Sequence, residues 1–521
     1  MTRSPELRRR SLLTGAAALA AAPAVIGPRA SAAASKDVVI GLDASILGLD
    51  PADLNDNLSM TATRTMLQGL YGFDKDMKMH PVLAESYEAN AAATEYVIHL
   101  RHGIRFSDGA PFDATAVKTS FDRARDPNNH LKRAPLYAPI DHIDVVDPFT
   151  VKIVLKYPFG AFVYNLAHAA FGIMSPKAIA QYGKGVDRNP SGTGPYMFSS
   201  WQPDALKVVK NPNYWKPGMP KVDSITIRIV PESGSRLAML QTGEAQYIFP
   251  LPVEMAPAIE HSPTLDVISA KSIYARFIAL NTMRKPFDDI RVRQALNYAV
   301  DKQAFVKVVY NGFAVPLESC LPANLSGFVS QGAPWPYDPA KAKALLAEAG
   351  YPNGFSSTIW GNNASLTQKA MQFLQQQFAM VGVKVEVEPL EAGVAANKVW
   401  NVATPADATT LMGYVAWSAS TGDADWGLRP LLGGPDAFPP KLFNIAYYSN
   451  PQVNADIKAG LETADAAKRA AAYKDAQAVI WKDAPWVFLT SDYNLSAKSK
   501  KLSGIYVLPD AQMLTEDAEL T

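Results

Sequence analysis

The chain has 521 residues, 48% of them hydrophobic and 19% charged, which excludes a disordered or collagen-like chain and leaves room for two or three domains around sizeable cores. Its formal net charge is +1. Loss of residues 1–34 would take away five arginines and one glutamate, leaving 45 basic and 48 acidic residues, and a balance near −3 argues against a broad nucleic-acid-binding surface.

The N-terminus reads "RRRSLLTGAAALAAAPAVIGPRASAAAS". Arg8, Arg9 and Arg10 precede an apolar run from Leu12 to Ile26, and small residues close it at Ala30-Ser31-Ala32 or Ala32-Ala33-Ala34. That order predicts an export signal of twin-arginine type over 1–34; an Arg-rich transit peptide is the alternative. The run is shorter than the roughly 20 residues of a membrane span. No cysteine lies near the cleavage region to accept a lipid anchor, and the single cysteine, Cys320, has no intrachain partner, so disulfides do not hold the fold together.

From Lys36 onward strands and helices alternate. "KDVVIGL" is a short β-branched run, and in "TEYVIHLRHGIRF" Tyr96, Ile98 and Leu100 alternate with Val97, His99 and Arg101. "HIDVVDPFTVKIVLKYPF" predicts two strands joined at Asp147-Pro148, and "ALKVVKNPNYW" and "KVDSITIRIV" give two more after "SGTGPY". "DIRVRQALNYAVDKQAFVKVVYNG" reads as helix with a break near Asp301. Asp338 and Pro339 open a further helix that Gly350 ends. Ser365 is expected to cap the next, whose apolar residues from Leu366 to Val381 follow a 3.6-residue period up to Gly382. "VKVEVEP" then returns as a strand. The fold class is α/β. No repeat and no low-complexity linker is present, so the domains are expected to be joined by several crossings of the chain.

Motifs for catalysis are missing. "SGTGPYM" lacks the third glycine of a dinucleotide loop, with Pro195 following at once, and there is no G-x-S-x-G, H-E-x-x-H or G-x-x-x-x-G-K. His99 and His102, three apart on a strand, fall on opposite faces; solvated or hydrogen-bonded histidines are the expectation, with no cofactor and no metal. One cluster stands out: "AWSASTGDADW", Ala416 to Trp426. Asp423 and Asp425, two apart on a strand, would share a face and could hold a divalent cation, as in a secreted metal-dependent transferase or hydrolase. The alternatives are an amine-binding acid or a solvated loop.

Several stretches together resemble one family. "LAESYEANAAATEYVIHLRHGIRFSDGAPFDATAVKTSFDRARDP", "SGTGPYMFSSWQPDALKVVKNPNYWKPGMPKVDSITIRIV", "RLAMLQTGEAQYIF" and "KPFDDIRVRQALNYAVDK" are similar, in this order, to the extracytoplasmic solute receptors of peptide- and nickel-type ABC importers. "GYVAWSASTGDADWGLRPLL" and the C-terminal "LPDAQMLTEDAEL" resemble the members that take glutathione. The resemblance implies a non-enzymatic two-lobe periplasmic-binding-protein fold with an extra subdomain in lobe one. Lobe one would comprise 36–58, 192–285 and 490–521, the subdomain 59–191, and lobe two 286–489. It implies a monomeric periplasmic receptor that closes on glutathione or a related small peptide and meets an inner-membrane permease. A dipeptide, an opine or another solute is the alternative ligand.

A zwitterion taken out of water needs fixed counter-charges, because burial of an unpaired ion costs several kcal/mol. Carried over by position, Asp423, and after it Asp425, would meet the ligand amine. For a carboxylate an arginine fork suits best, and in "SIYARFIALN" Arg276 shares a strand face with Tyr274 and Ile278. Trp417, and less strongly Trp426, would wall the pocket, Thr421 and Gly422 would offer donors, and Gly192, Gly194 and Pro195 would shape a turn near the hinge.

Overall fold

The strand Asp37–Leu42 is the first of a long sheet, with Val38, Ile40 and Leu42 fully buried. A computed structural model describes residues 36–521; the expected export signal, 1–34, lies outside the described residues. Asp37–Leu42 runs parallel to Ser224–Ile229 and Tyr247–Phe249, and Ala205–Lys210 and Tyr196–Gln202 extend the sheet antiparallel. A second group of strands, Ser356–Asn362, Lys384–Leu390, Met412–Ser418 and Tyr274–Leu280, packs its own helices.

One 14-residue strand, Trp486–Ser499, joins the two groups into a single 12-stranded sheet. Its first residues pair with Tyr274–Leu280, and Tyr493 to Ser499 pair with Leu265–Lys271. The chain therefore passes between the groups twice, beside Ser272-Ile273 and beside Asp492. Tyr274–Leu280, expected in lobe one, hydrogen-bonds to strands expected in lobe two.

Local signals account for most element ends. Asp301 does break the long helical stretch: Ile290–Tyr298 ends before it, and its carboxylate accepts the Ala304 N–H at the head of Lys302–Tyr310. Asp338 caps Pro339–Glu348 in the same way, and Gly350 follows at φ 90°, where a Cβ would be strained. Ser365 is a correction. It is the first residue of the helix Ser365–Ala379 and not its cap; the capping position is Ala364, held by the Asn362 carboxamide, which accepts the Ala364 N–H. The asparagine turns the chain one residue earlier than a serine cap would.

The expected subdomain contains a four-stranded antiparallel sheet in the order Ala84–Ala89, Glu95–Leu100, Thr150–Leu155, Ile140–Asp147, with the helix Ala114–Arg125 packed on it. Tyr96, Ile98 and Leu100 are its buried face, as their alternation predicts. Gly192 and Gly194 lie against the backbone of Met66, where a Cβ would sit 2.2 and 2.6 Å from its atoms. The apolar core of the subdomain continues without a break into residues 419 to 488. Among the described residues no helix is long and apolar enough to cross a membrane.

Candidate functional site

A cavity of about 440 Å³ opens beside the joint between the two strand groups, a size typical of small-molecule sites. Arg276 and Phe277 from Tyr274–Leu280, and Tyr414 to Trp417 from the neighbouring strand Met412–Ser418, form one wall. Trp360, Trp400 and Phe443 add aromatic rings beside Asn362, Thr367, Leu390 and Ile445. Trp360 meets Trp400 edge-on with centroids 6.0 Å apart, Trp400 meets Phe443 at 6.0 Å, and Phe443 lies 5.1 Å from Trp417. Trp417 is fixed in turn by a 2.7 Å hydrogen bond from Nε1 to the Trp426 carbonyl. Such walls exclude water and strengthen any charged contact inside.

Arg276 is the cation of this cavity. Its Nε and Nη2 donate to the two carboxylate oxygens of Asp492 at 3.1 and 3.0 Å, a bidentate fork. Burial opposes its charge, but Asp492 outweighs that and holds the guanidinium protonated well above its ordinary range. The fork leaves Nη1 outside the Asp492 pair. Tyr274, on the same strand face, uses its hydroxyl to accept from the Asn57 side chain at 3.1 Å and so ties the strand to the helix Asn57–Arg64.

The two aspartates of the "TGDADW" loop are placed differently from Arg276. Asp423 is 1% exposed; its Oδ1 accepts from Arg469 Nη2 at 2.7 Å and from the Asp425 N–H at 2.9 Å, capping the helix Ala424–Leu432. Burial pushes its carboxyl upward, against the pull of Arg469. Asp425, 2% exposed, receives Nε and Nη2 of Arg429 one helical turn on, at 2.8 and 2.7 Å. Each carboxylate thus already holds a guanidinium, an arrangement that repels a divalent cation, and the shared strand face expected for them does not exist because Asp423 opens a helix. Neither aspartate lines the 440 Å³ cavity.

Thr421 is buried, and Gly422 turns the loop at φ 72° with its face against Phe73, where a Cβ would approach the ring to 2.8 Å. This loop therefore meets the subdomain. Further along the same junction the Gly160 N–H donates to the Leu461 carbonyl at 2.6 Å, Tyr164 Oη and Ser326 Oγ lie 3.0 Å apart, and Arg429 and Arg469 cover the rings of Phe159 and Tyr164. Of the residues singled out in the sequence, Arg276 and Trp417 reach the cavity, Tyr274 ties their sheet to the helix Asn57–Arg64, and Asp423, Asp425, Thr421 and Gly422 gather at the junction. Trp360, Trp400, Tyr414 and Phe443 were not found by sequence reasoning; they come from four separated segments, and only the recurrence of aromatics between 360 and 443 could have pointed to them.

Residues 78–439 match the family model for bacterial extracellular solute-binding proteins, family 5. The chain belongs to that family. Family 5 members are solute-binding proteins of ABC transporters and not enzymes. A glutathione-binding protein, GsiB of Pectobacterium atrosepticum, is 50% identical over 490 residues, covering 94% of this chain and 95% of that protein. GsiB of Escherichia coli O157:H7 is 46% identical over 509 residues, 97% and 98% of the two chains. Among solved structures, HbpA2 from Haemophilus parasuis superposes with a TM-score of 0.84 at 25% identity over 93% of this chain and all of that one. DppA from Helicobacter pylori, in complex with the peptide STSA, gives 0.74 at 27% identity over 92% and 97%. The α/β two-lobe periplasmic-binding-protein fold of family 5 is therefore the fold of this chain.

Proposed function

We propose that this family 5 protein is the extracytoplasmic receptor of an ABC importer, that it takes glutathione or a related small peptide between its lobes in the periplasm, and that the closed liganded form is what the inner-membrane permease recognises. The identity of about half of all residues to glutathione-binding proteins, over nearly the whole of both chains, carries this reading. The cavity beside Arg276 supports it: two carboxylates and one ammonium require a fixed cation, and Arg276, the one cation among the lining residues, keeps Nη1 outside its fork with Asp492. In this reading Trp417 and its aromatic neighbours exclude water, Tyr274 holds the Arg276 strand to the helix Asn57–Arg64, and the Asp423 loop with Thr421 and Gly422 sets the lobe junction. Asp423 would meet a ligand amine only by sharing its charge with Arg469, and Asp425 by sharing with Arg429. Lobe one would be 36–58, 192–285 and 490–521, with 59–191 as its subdomain and 286–489 as lobe two, and the export route would be the twin-arginine one.

Calorimetry with glutathione, γ-glutamylcysteine, a dipeptide panel and an opine tests the ligand. Glutathione should bind with a stoichiometry of one; heat from a dipeptide or opine alone would keep the receptor role and reject the ligand. Arg276→Gln should weaken glutathione binding roughly ten- to a hundredfold, the loss of one charge-assisted contact of about 1.5–3 kcal/mol. Glutathione monoethyl ester should discriminate poorly between this variant and the parent, because an ester removes the carboxylate that the arginine meets. Asp492→Asn, which keeps the arginine and frees its fork, should retain or raise affinity.

A further inference from the structure

A second cavity, of about 390 Å³, lies away from the first and is lined wholly by residues 64–82, 167–172, 195, 216 and 506–517. No residue of its lining comes from 286–489, and none lines the first cavity. Its walls are part apolar, with Leu67, Phe73, Val82 and Leu514, and its polar groups are unusual in what they lack.

Arg64 lines this cavity at the last turn of the helix Asn57–Arg64. Its Nε donates to the Gln512 carboxamide, but its Nη2 is buried with no hydrogen-bond partner. The nearby carboxylate of Asp510 is taken up by the N–H and side-chain amide of Gln512. A buried guanidinium that touches no acid directly is costly unless something else accepts from it. His168, 3% exposed, lines the same cavity. Its Nδ1 accepts the Ala170 N–H at 3.0 Å, and burial, with Arg133 and Arg64 nearby, holds the ring neutral, so the proton is on Nε2. No hydrogen bond among the described residues uses that proton. Tyr71, also in the lining and 3% exposed, has a buried hydroxyl without a partner.

Two buried donors without a partner, Arg64 Nη2 and Tyr71 Oη, together with the unused Nε2–H of His168, stand around one cavity and describe the complement of an acceptor-rich group. Of the three carboxylates in the lining, Asp74 accepts the N–H groups of Asp76 and Lys78, Glu516 pairs with Lys216 at 2.6 Å, and Asp517 makes no hydrogen bond with Arg64, Tyr71 or His168. We propose that this cavity is a second binding site, for a small oxyanion, either free phosphate or the carboxylate end of an organic acid, held by Arg64 and His168. It stabilises the packing of the subdomain on the segments 195–216 and 506–517 and is independent of the solute taken in the cleft.

The test uses the mature full-length chain, stripped of ligand, in calorimetry and thermal unfolding with inorganic phosphate, citrate and chloride at matched ionic strength. A saturable heat and a rise in Tm with phosphate or citrate, but not with chloride, are expected; phosphate alone or citrate alone identifies which source carries the oxyanion. Arg64→Gln should weaken that binding at least tenfold and leave glutathione binding unchanged. His168→Gln should weaken it as well, and it serves where the arginine variant does not fold. No saturable heat with either anion, or binding by both variants equal to that of the parent, overturns the proposal.

Discussion

Asp423 does two jobs at once: it accepts the Asp425 N–H in the first turn of the helix Ala424–Leu432 and it neutralises Arg469 in a place where neither charge meets bulk water. Removing one partner of such a pair strands the other, at about 3–5 kcal/mol, whereas replacing both by apolar groups is often neutral. Asp423→Ala should therefore lower the unfolding free energy from urea titration by that order, and the double change Asp423→Ala with Arg469→Met should recover a large part of it; equal losses in the single and double variants would show that the cap alone matters. Lys302 poses the opposite problem. Its ammonium is 4% exposed and donates to the carbonyls of Asn297 and Val300, and burial pulls it down from 10.5 to about 7. Between pH 7 and 10.5 the unfolded lysine holds a proton that the folded one has released, so stability rises with pH across that window. Urea unfolding at pH 7 and pH 9.5 should show this gain in the parent and its loss in Lys302→Met.

Among elements, the strand Trp486–Ser499 and the segment around Gly160 do most to set the geometry of the site. The strand is long enough to serve both sheet groups, and its middle presents Asp492 to Arg276, so the fork stands where the chain crosses from one group to the other. Gly160 is pressed on Thr463, where a Cβ would lie 1.7 Å from the carbonyl oxygen. That approach permits no side chain. Gly160→Val should cost about 1–3 kcal/mol through overpacking and should open the junction between residues 159–164 and 461–473, seen as faster amide exchange there with the strand cores still protected. Element type and most ends were legible in the sequence because their causes are local: Asp301, Asp338 and Gly350 each act within four residues. The misplaced cap at Ser365 has the same kind of cause, an asparagine three residues earlier.

For the whole molecule, a ligand that binds only the folded, closed form adds its binding free energy to stability. At a hundredfold excess over Kd this is about 2.7 kcal/mol. Saturating glutathione should therefore raise the unfolding free energy by that amount and reduce the radius of gyration in solution scattering. Tyr164→Phe, which removes the Tyr164–Ser326 hydrogen bond across the junction, should leave the on-rate nearly unchanged and raise the off-rate, since a contact that holds the junction together acts after encounter.

The sequence by itself determined the α/β alternation, the absence of catalytic motifs and the chain-wide likeness to family 5, because each is written in local pattern or in ordered segments. It also brought Arg276 to notice on a strand-like run and Trp417 within the "AWSASTGDADW" cluster. It left the use of the aspartates open, and only the tertiary structure decided it. Arg469 lies 46 residues from Asp423 and Asp492 lies 216 from Arg276, and no spacing rule reaches so far. The same holds for the aromatic wall and for the second cavity, whose donors come from residues 64, 71 and 168. A charge's role is fixed by what surrounds it after folding, and that is set by which distant segments pack together.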